Sequence, residues 1–401
     1  LQLEVCVTDS FDFIALPVGQ GDAFLFHHKE HTALVDGGKS KAGICDLLRG
    51  HGVTSLDVLV CTHNDADHAN GVLGLLQSAF PVAEVWLPAS WSGVLPRVLR
   101  PYTEVLSELG PLVFEEAVAR RRGDQPDRLA PPLEELGDRY AIDGLVEGTQ
   151  QSNGETLPDD GWPPIASLES AEVWHPRWPW WIFSPPIPFR VFPCDPDILS
   201  RAASLLREAI EAAHRIRAIS LAAYHAGVAV RWFQHDPSSQ CAALRWLGCV
   251  GARQLLRVRP YSGSLLVLLS LTATNRESLV LWSPASTQFP GVLFTADSDL
   301  RDVPLPALGN GCLVTAPHHG SEDNSVAYER VSENLKDAEC TWVRSDGRFQ
   351  SRPGRSYLMQ GKRFCTLCRP ALYPKQTVRL RVSDGLWTQV EGTRACGSRA
   401  G

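Results

Sequence analysis

The stretch Thr62-His63-Asn64-Asp65-Ala66-Asp67-His68 places two histidines and two carboxylates within six positions. It directly follows the apolar run from Leu56 to Cys61, which predicts a buried strand, and precedes helical spacing from Ala69 to Ala79. Imidazole and carboxylate groups on such a turn suit zinc, manganese or iron. Asp67 and His68 could instead cap the helix, but four ligand-type residues so close together are rarely all caps.

Four further apolar segments end in polar or glycine-rich turns. Val18–Ala23 (VGQGDA) and Ala33–Gly38 (ALVDGG) lie near the N-terminus, Gly291–Asp297 ends in an acid, and Cys312–Ser321 contains paired histidines. Ligands carried on several strand ends can converge at one edge of a sheet, where a rigid scaffold holds them. The pattern therefore predicts a site for one or two metal ions at such an edge.

In this order, the motifs resemble those of metallo-β-lactamase-fold hydrolases, and specifically of their ComEC-like branch. The shared features are VGQGDA, VDGG, a THxDxDH core motif, an Asn-x-x-Ser strand, an acid ending a strand, and PHHGS. The resemblance covers residues ~12–90 and ~265–345, about 160 of 401, and the motif order is more specific than any single motif. It implies an α/β fold, a four-layer αββα sandwich with large insertions between core strands.

The resemblance also implies a set of metal ligands. These are His63, Asp65, Asp67, His68, Asp297 and His318. Asp67 and His68 would bind the second metal together with His318, and Asp297 would bridge both ions.

The first metal site departs from the family's pattern. His63 would bind this ion, and Asp65 stands where many relatives have a second histidine. Asn275 holds the place of a third histidine, and an amide is a much weaker ligand than imidazole. The first site would therefore be loose, filled only with substrate, or empty, and His319 and His175 are candidates for filling it or contacting substrate.

Hydrolysis by a metal-bound hydroxide is the chemistry that these ligands imply. One divalent ion lowers the pKa of bound water and a second clamps the leaving oxygen. Asp297 would orient the nucleophile beside Asp67, and His319 would donate a proton or a hydrogen bond to the substrate. Because oxygen-rich ligand sets tolerate Mn²⁺, one or two ions of zinc or manganese are expected.

Composition and charge place only loose limits on the class of substrate. The chain is 44% hydrophobic and 21% charged, as in globular proteins, and its net charge of −7 lacks the basic balance typical of duplex binding. Arginine clusters such as Arg120–Arg122 more often lie on solvated faces than on surfaces that bind a phosphate backbone. Arginine near the metals would suit a phosphate. The candidate substrate-binding residues are Asn275, Ser321, His175 and Arg344.

The sequence also bears on location. It contains no apolar run of ~18 residues, so no membrane span or membrane partner is expected. Leu1–Val7 lacks the features of a secretory signal, which favours a cytoplasmic protein.

Eleven cysteines in 401 residues do not form a disulfide scaffold. Cys365 and Cys368 form a CxxC, with Cys340 upstream and Cys396 downstream. These four could together bind a structural zinc ion. Alternatively, they form no site and are two loose thiols plus buried ones.

The chain is expected to be a core interrupted by insertions. The predicted segments are 1–90 (core), 91–170 (helices and an exposed loop at 147–165), 171–176 (core strand), 177–264 (mostly helical, with a helix at 197–227), 265–346 (core) and 347–401 (Cys/Arg extension). An insertion beside the metals could roof the active site, and with the exposed loop it could form a lid that controls activity.

The function most favoured by these observations is that of a metal-dependent nuclease or phosphodiesterase acting on DNA or RNA. Similar stand-alone relatives suggest a place in a bacterial defence system, with a regulatory or activating protein partner. The alternatives are a hydrolase of a small molecule (lactone, thioester or cyclic nucleotide) and a metal-binding but inactive regulatory module.

Overall fold

The structure is a computed structural model that describes residues 10–122, 162, 195–239, 242–255, 265, 268, 278–336, 338–345, 352–368 and 375–397. The chain divides into two compact units. The first comprises Leu1–Pro88, Ala222–Leu255 and Asn275–Gly401, and the second comprises Ala89–Leu221 and Leu256–Thr274.

The described residues form both strands and helices. The strands are β1 (Phe11–Ala15), β2 (Phe24–His28), β3 (His31–Val35), β4 (Leu56–Val60), β5 (Val82–Pro88), β6 (Ala229–His235), β7 (Ala242–Ala243), β8 (Gly248–Val250), β9 (Ala252–Leu255), β10 (Val280–Ser283), β11 (Val292–Phe294), β12 (Leu313–Thr315), β13 (Thr341–Arg344), β14 (Lys362–Cys365), β15 (Val378–Ser383) and β16 (Leu386–Gln389). The helices are α1 (Ile44–Gly50), α2 (Ala66–Gln77), α3 (Ala89–Val98), α4 (Tyr102–Arg121), α5 (Pro196–His225), α6 (Ser325–Leu335) and α7 (Arg355–Leu358).

Two sheets form the first unit. Within the described residues, the larger has the order β16-β15-β1-β2-β3-β4-β5-β6-β9 and the smaller the order β14-β13-β12-β11-β10-β8-β7. Strands β3 to β6 are parallel, as are β11 to β14. Buried parallel strands carry continuous apolar runs, which explains the sequence VLF in β11 and the Leu-Val pair that begins β12.

An aromatic layer fills the space between the sheets. Phe13 and Phe24 of the larger sheet lie 5.8 and 6.3 Å, centroid to centroid, from Phe294 of the smaller sheet. Trp387 extends this layer, with its ring 6.4 Å from that of Phe13. Alternate residues of β1 and β2 supply this face, because successive side chains of a strand point to opposite sides.

Helices cover the outer faces of the sheets. On the smaller sheet, Tyr328 and Val331 of α6 pack against strand residues including Trp342, and the rings of Tyr328 and Trp342 lie 4.8 Å apart. Helix α2 approaches the turn after β3 so closely that a Cβ on Gly71 would lie 1.9 Å from the Gly37 carbonyl oxygen. The two sheets with their helices confirm the predicted α/β class and are consistent with an αββα sandwich.

Helices α3, α4 and most of α5 belong to the second unit. Trp162 is fixed there by its indole N–H, which donates to the Arg100 carbonyl at 2.9 Å, and by the guanidinium of Arg217 at 5.6 Å from its ring. The helix predicted over 197–227 is α5. No helix within the described residues has the length and apolar character needed to cross a membrane.

The segment predicted to be mostly helical, 177–264, also contains strands. Strand β6 pairs in parallel with β5 and in antiparallel fashion with β9, so this part of the segment extends the larger sheet. The predicted strand at 171–176 lies outside the described residues, as does the loop at 147–165 apart from Trp162.

Candidate metal centre

Four imidazole rings surround the carboxylate of Asp297, which follows β11. His63 comes from the turn after β4 and His68 from the first turn of α2, and His318 and His319 come from the turn after β12. Oδ2 of Asp297 lies 3.5 Å from Nε2 of His63 and 3.6 Å from Nε2 of His318. Oδ1 lies 3.2 Å from Nε2 of His68 and 3.7 Å from Nε2 of His319. Each oxygen of this carboxylate therefore faces two imidazoles.

Two further carboxylates divide the cluster into halves. Asp65 Oδ2 lies 3.7 Å from His63 Nε2, and Asp67 Oδ2 lies 3.4 Å from His319 Nε2. We call the first group, His63 and Asp65 with Oδ2 of Asp297, the outer half because the Asp65 side chain is 34% exposed. The inner half consists of Asp67, His68 and His319 with Oδ1 of Asp297.

Buried carboxylates fix the two histidines of the inner half. Nδ1 of His68 lies 2.8 Å from Asp36 Oδ2, and Nδ1 of His319 lies 3.0 Å from Asp22 Oδ1. A carboxylate beside Nδ1 holds the ring hydrogen there, which leaves the lone pair of Nε2 available to bind a metal ion. Nε2 of His68 and Nε2 of His319 are only 3.1 Å apart. Two such lone pairs repel each other unless a cation, either a proton or a metal ion, lies between them.

Hydrogen bonds orient the other two histidines in the same way. Thr62 Oγ1 donates to Asp36 Oδ2 at 2.8 Å and can therefore accept from Nδ1 of His63 at 2.9 Å. Asn324 donates its amide N–H to the Asp297 carbonyl at 3.0 Å, so its Oδ1 accepts from Nδ1 of His318 at 3.1 Å. All four histidines thus turn Nε2 towards the Asp297 carboxylate.

The donor set fits a divalent cation. Two ligands that are each about 2.0–2.2 Å from a tetrahedral ion are about 3.3–3.6 Å apart, and the contacts of His63 and Asp67 at 3.5 and 3.4 Å match that spacing. Among the described residues, the buried Nε2 of His63 and Oδ2 of Asp22 have no hydrogen-bond partner. Two groups of residues could each hold a metal ion, because the ligand atoms within each group all lie within 4.8 Å of one another. The groups are Asp22/His68/Asp297/His319 and His63/Asp65/Asp297.

The charges in the cluster are strongly coupled. Burial and the neighbouring His68 lower the pKa of His63, but Asp297 and Asp65 outweigh them and raise it to about 9. Burial raises the pKa of Asp67, but its hydrogen bond to His319 and the nearby imidazoles hold it well below its usual range. The carboxylates therefore retain positive charge on the imidazoles, and a metal ion would have to displace protons to bind.

The backbone at the paired histidines is left-handed. His318 and His319 have φ of 46° and 55°, and Ala296, next to Asp297, has φ of 46°. Such conformations cost about 1–3 kcal/mol each for residues other than glycine and persist only where the surroundings impose them. Here the His318 N–H donates to the Ala296 carbonyl at 2.9 Å, and Arg344 Nε donates to the His319 carbonyl at 2.6 Å.

Gly21 allows the N-terminal loop to reach the core motif. Its φ is +89°, and a Cβ there would lie 1.6 Å from the Asp67 carbonyl oxygen. The next residue, Asp22, donates its N–H to that same oxygen at 3.2 Å. The VGQGDA motif therefore brings a carboxylate to His319 and supports Asp67 at the same time.

The structure exchanges the positions expected for the paired histidines. The motifs predict His318 beside Asp67 and His68 at the second metal, and leave His319 as a candidate for filling the first site or contacting substrate. In the structure, His319 lies in the inner half and is 1% exposed, whereas His318 lies at Oδ2 of Asp297 with 28% of its side chain exposed. Successive residues in a left-handed turn direct their side chains differently, which motif matching does not reveal.

Two residues expected to contact substrate have structural contacts instead. Arg344 is 1% exposed, and its guanidinium donates to the carbonyls of His319, at 2.6 Å, and Leu367, at 3.3 Å. Ser321 accepts the N–H of Asp323 at 3.3 Å and so caps the following turn. The other two candidates, Asn275 and His175, lie outside the described residues.

Four residues that support the histidines had no role assigned from the sequence. They are Asp22, Asp36, Thr62 and Asn324. The two acids belong to the quoted VGQGDA and VDGG motifs, Asp22 just before β2 and Asp36 directly after β3, and these motifs are the signal that could have identified them.

Arginines of the Arg120–Arg122 cluster and of β15 bind the protein's own carboxylates. Arg379 and Arg381 donate to Asp12 at 2.7 and 2.6 Å, and Arg120 donates to Glu116 at 2.6 Å. Because these charges are internally compensated, they are poor evidence for a phosphate track.

Comparison with known families identifies the first part of this scaffold. The model of the metallo-beta-lactamase superfamily matches residues 16–150, which include the VGQGDA, VDGG and core motifs. This segment is a metallo-beta-lactamase superfamily domain. Asp297 and the paired histidines lie beyond the matched residues, and the fold brings them to the core motif. No curated protein matches the chain.

The metallo-beta-lactamase domain and the buried cluster together indicate a metal-dependent hydrolase. The superfamily expected from the motifs is confirmed for residues 16–150. Its ComEC-like branch stays a prediction.

Proposed function

We propose that this protein is a metal-dependent phosphodiesterase, specifically a nuclease that acts on DNA or RNA. The observation that carries the hydrolytic part is the Asp297 carboxylate, each oxygen of which faces two imidazole Nε2 atoms at 3.2–3.7 Å. The order of the motifs, which resembles that of the ComEC-like branch, supports the phosphodiester part. The same resemblance underlies our proposal of a role in bacterial defence with an activating protein partner.

The two halves of the cluster would hold one zinc or manganese ion each. His63, Asp65 and Asp297 would bind the outer ion, and the inner half would bind the second through the same bridging carboxylate. Bound ions would supply Lewis acidity and a water of lowered pKa. Asp22 and Asp36 would keep the inner imidazoles in the required tautomer.

Substrate would approach the outer half. Asp65 and His318 are the exposed members of the cluster, whereas the inner histidines are almost fully buried. Asn324 holds the hydrogen of His318 at Nδ1, so a second proton would be carried at Nε2. We assign to His318 the role of giving this proton to the leaving oxygen, which the sequence analysis gave to His319.

One observation favours a small-molecule substrate instead. A cavity of about 690 Å³ lies against the VGQGDA and VDGG loops, with Val18, Gly37 and Lys375 in its wall. A cavity of this size suits a small ligand, but none of the cluster's histidines is among its lining residues. The case for a small substrate therefore rests more on the internally paired arginines, which do not favour a long polyanion. A lactone, thioester or cyclic nucleotide would fit this second function. The two donor groups argue against an inactive metal-binding module.

Cleavage of labelled single- and double-stranded DNA and RNA with Mn²⁺ or Zn²⁺ tests the proposal. Asp67→Ala and His319→Ala should abolish cleavage, whereas Asp302→Ala, at an exposed acid, should leave it unchanged. Nucleic-acid cleavage should also weaken steeply with salt, because binding a polyanion releases counterions. If the metal-loaded protein hydrolyses small esters but no nucleic acid, at any salt concentration, the nuclease assignment is wrong.

A further inference from the structure

A second cluster of metal-binding side chains lies outside the candidate active site. Cys365, at the end of β14, and Cys368 are buried, and Cys396 joins them from the C-terminal segment. The three Sγ atoms lie within 4.8 Å of one another, with 2.8 Å between those of Cys365 and Cys368. Thiolates select zinc and other soft metals, and clustered cysteines around a CxxC are a common form of structural zinc site.

Backbone hydrogen bonds bring the distant cysteine to the CxxC. The Cys396 N–H donates to the Arg363 carbonyl at 2.8 Å, and Ala395 forms a bridge with Phe364 of β14. The Gln376 amide donates to the carbonyls of Cys365 and Arg394, both at 2.9 Å. The C-terminal segment is thus held against β14 by its main chain, in register with the two thiols.

We propose that Cys365, Cys368 and Cys396 bind one structural zinc ion, which fastens the C-terminal segment to β14. This site stands apart from the proposed hydrolytic function and does not depend on it. These thiolates would supply three of the four ligands of a tetrahedral zinc ion.

Cys340, which the sequence analysis grouped with these three cysteines, lies elsewhere. Its thiol contacts that of Cys312 and, with burial, raises the pKa of Cys312. It does not belong to the group of three within 4.8 Å. Cys340 therefore provides a matched control, since it is a partly buried cysteine close in the chain to the proposed site.

The proposed zinc site is linked to the active site through one side chain. Arg344 Nη1 donates to the carbonyl of Leu367, inside the CxxC, at 3.3 Å, and the Thr366 N–H donates to the Arg344 carbonyl at 3.1 Å. The same guanidinium donates to the His319 carbonyl at 2.6 Å. Zinc at the cysteines would therefore also stabilise the loop that holds Arg344, and hence His319, in place.

Zinc content measured by elemental analysis tests this inference. In a full-length His68→Ala, Asp297→Asn background, which disables the histidine cluster, we expect about one zinc per chain. Adding Cys396→Ser or Cys368→Ser should remove it, whereas adding Cys340→Ser should not. The proposal is overturned if zinc is retained in both cysteine variants. It is also overturned if the folded background protein has no zinc and thiol counting shows a Cys365–Cys368 disulfide.

A second measurement covers variants that fail to fold. The background protein with its native cysteines is loaded with Co²⁺, and its thiolate-to-cobalt charge-transfer absorption is recorded. Absorption that is lost on addition of a thiol-blocking mercurial supports the site. No such absorption in the folded, cobalt-treated protein contradicts it.

Discussion

Replacing Asp36 by asparagine should weaken metal binding without removing any metal ligand. The buried carboxylate accepts three hydrogen bonds at 2.8 Å, from the N–H and the hydroxyl of Thr62 and from Nδ1 of His68. An amide turns one of its two acceptor atoms into a donor, so at least one of these donors would face an N–H. The simplest relief is for the His68 ring hydrogen to move to Nε2, where it would occupy the metal position.

The expected loss follows from the role of such carboxylates. Removing the partner of a metal-binding histidine costs about 10- to 100-fold in metal affinity, which is about 1.4–2.8 kcal/mol. Asp36→Asn should show a loss in this range for Mn²⁺. This ion is suitable because thiolates bind it poorly, so the cysteine cluster should not contribute.

Competition with a chromophoric chelator measures the affinity, and circular dichroism checks the fold. Asp57→Asn is the matched control. Asp57 lies on β4 of the larger sheet and also accepts a backbone N–H, that of Thr32 at 2.7 Å, but it is at the end of β4 away from the cluster. It should bind Mn²⁺ like the unaltered protein. If folded Asp36→Asn also binds Mn²⁺ with unaltered affinity, the argument that Asp36 fixes the His68 tautomer is refuted.

Three further predictions concern loop packing, surface charge and backbone support. Gly21→Ala should abolish hydrolysis in a protein that still folds, because its Cβ would displace the Asp67 backbone; normal activity would contradict this. Burial raises the pKa of Asp12, but two arginines of β15 outweigh it and lower the value below 3.8. Asp12→Asn should therefore cost about 1–2 kcal/mol in the free energy of unfolding at neutral pH, discounted because the arginines are partly exposed. The ionised carboxylate stabilises the fold above its unfolded pKa, and this stabilisation is lost as pH falls through the lowered folded pKa. The difference in unfolding free energy between the unaltered protein and Asp12→Asn should therefore shrink in acid. A difference in denaturant midpoint that is constant with pH would contradict it. Arg344→Gln should reduce kcat and metal affinity with little change in KM, because it removes support from the His319 carbonyl; a change in KM alone would instead indicate substrate contact.

Much of the fold could be predicted from local patterns. The buried run of β4, the helix after the core motif and the long α5 follow from hydrophobic periodicity, which depends on neighbouring residues alone. The extension of the larger sheet by β6 and β9 could not be predicted in this way, because strand pairing across a long insertion leaves no periodic signal in the sequence.

The candidate site was predictable in its membership more than in its geometry. His63, Asp65 and Asp297 form one donor group, as motif order suggested they should meet. The different positions of His318 and His319 depend on two consecutive left-handed residues, and side-chain type does not encode that turn. Arg344 was unpredictable for a related reason, since an arginine near metals can face either a substrate or a backbone carbonyl.

Mn²⁺ stoichiometry in the Asp297→Asn variant tests the central claim most directly. We expect about two ions per chain in the unaltered protein, at most one in the variant, and no hydrolysis by the variant, because the carboxylate of Asp297 faces both halves of the cluster. If the folded variant binds as many ions as the unaltered protein, or keeps its activity, Asp297 does not join two metal sites and the proposed centre is wrong.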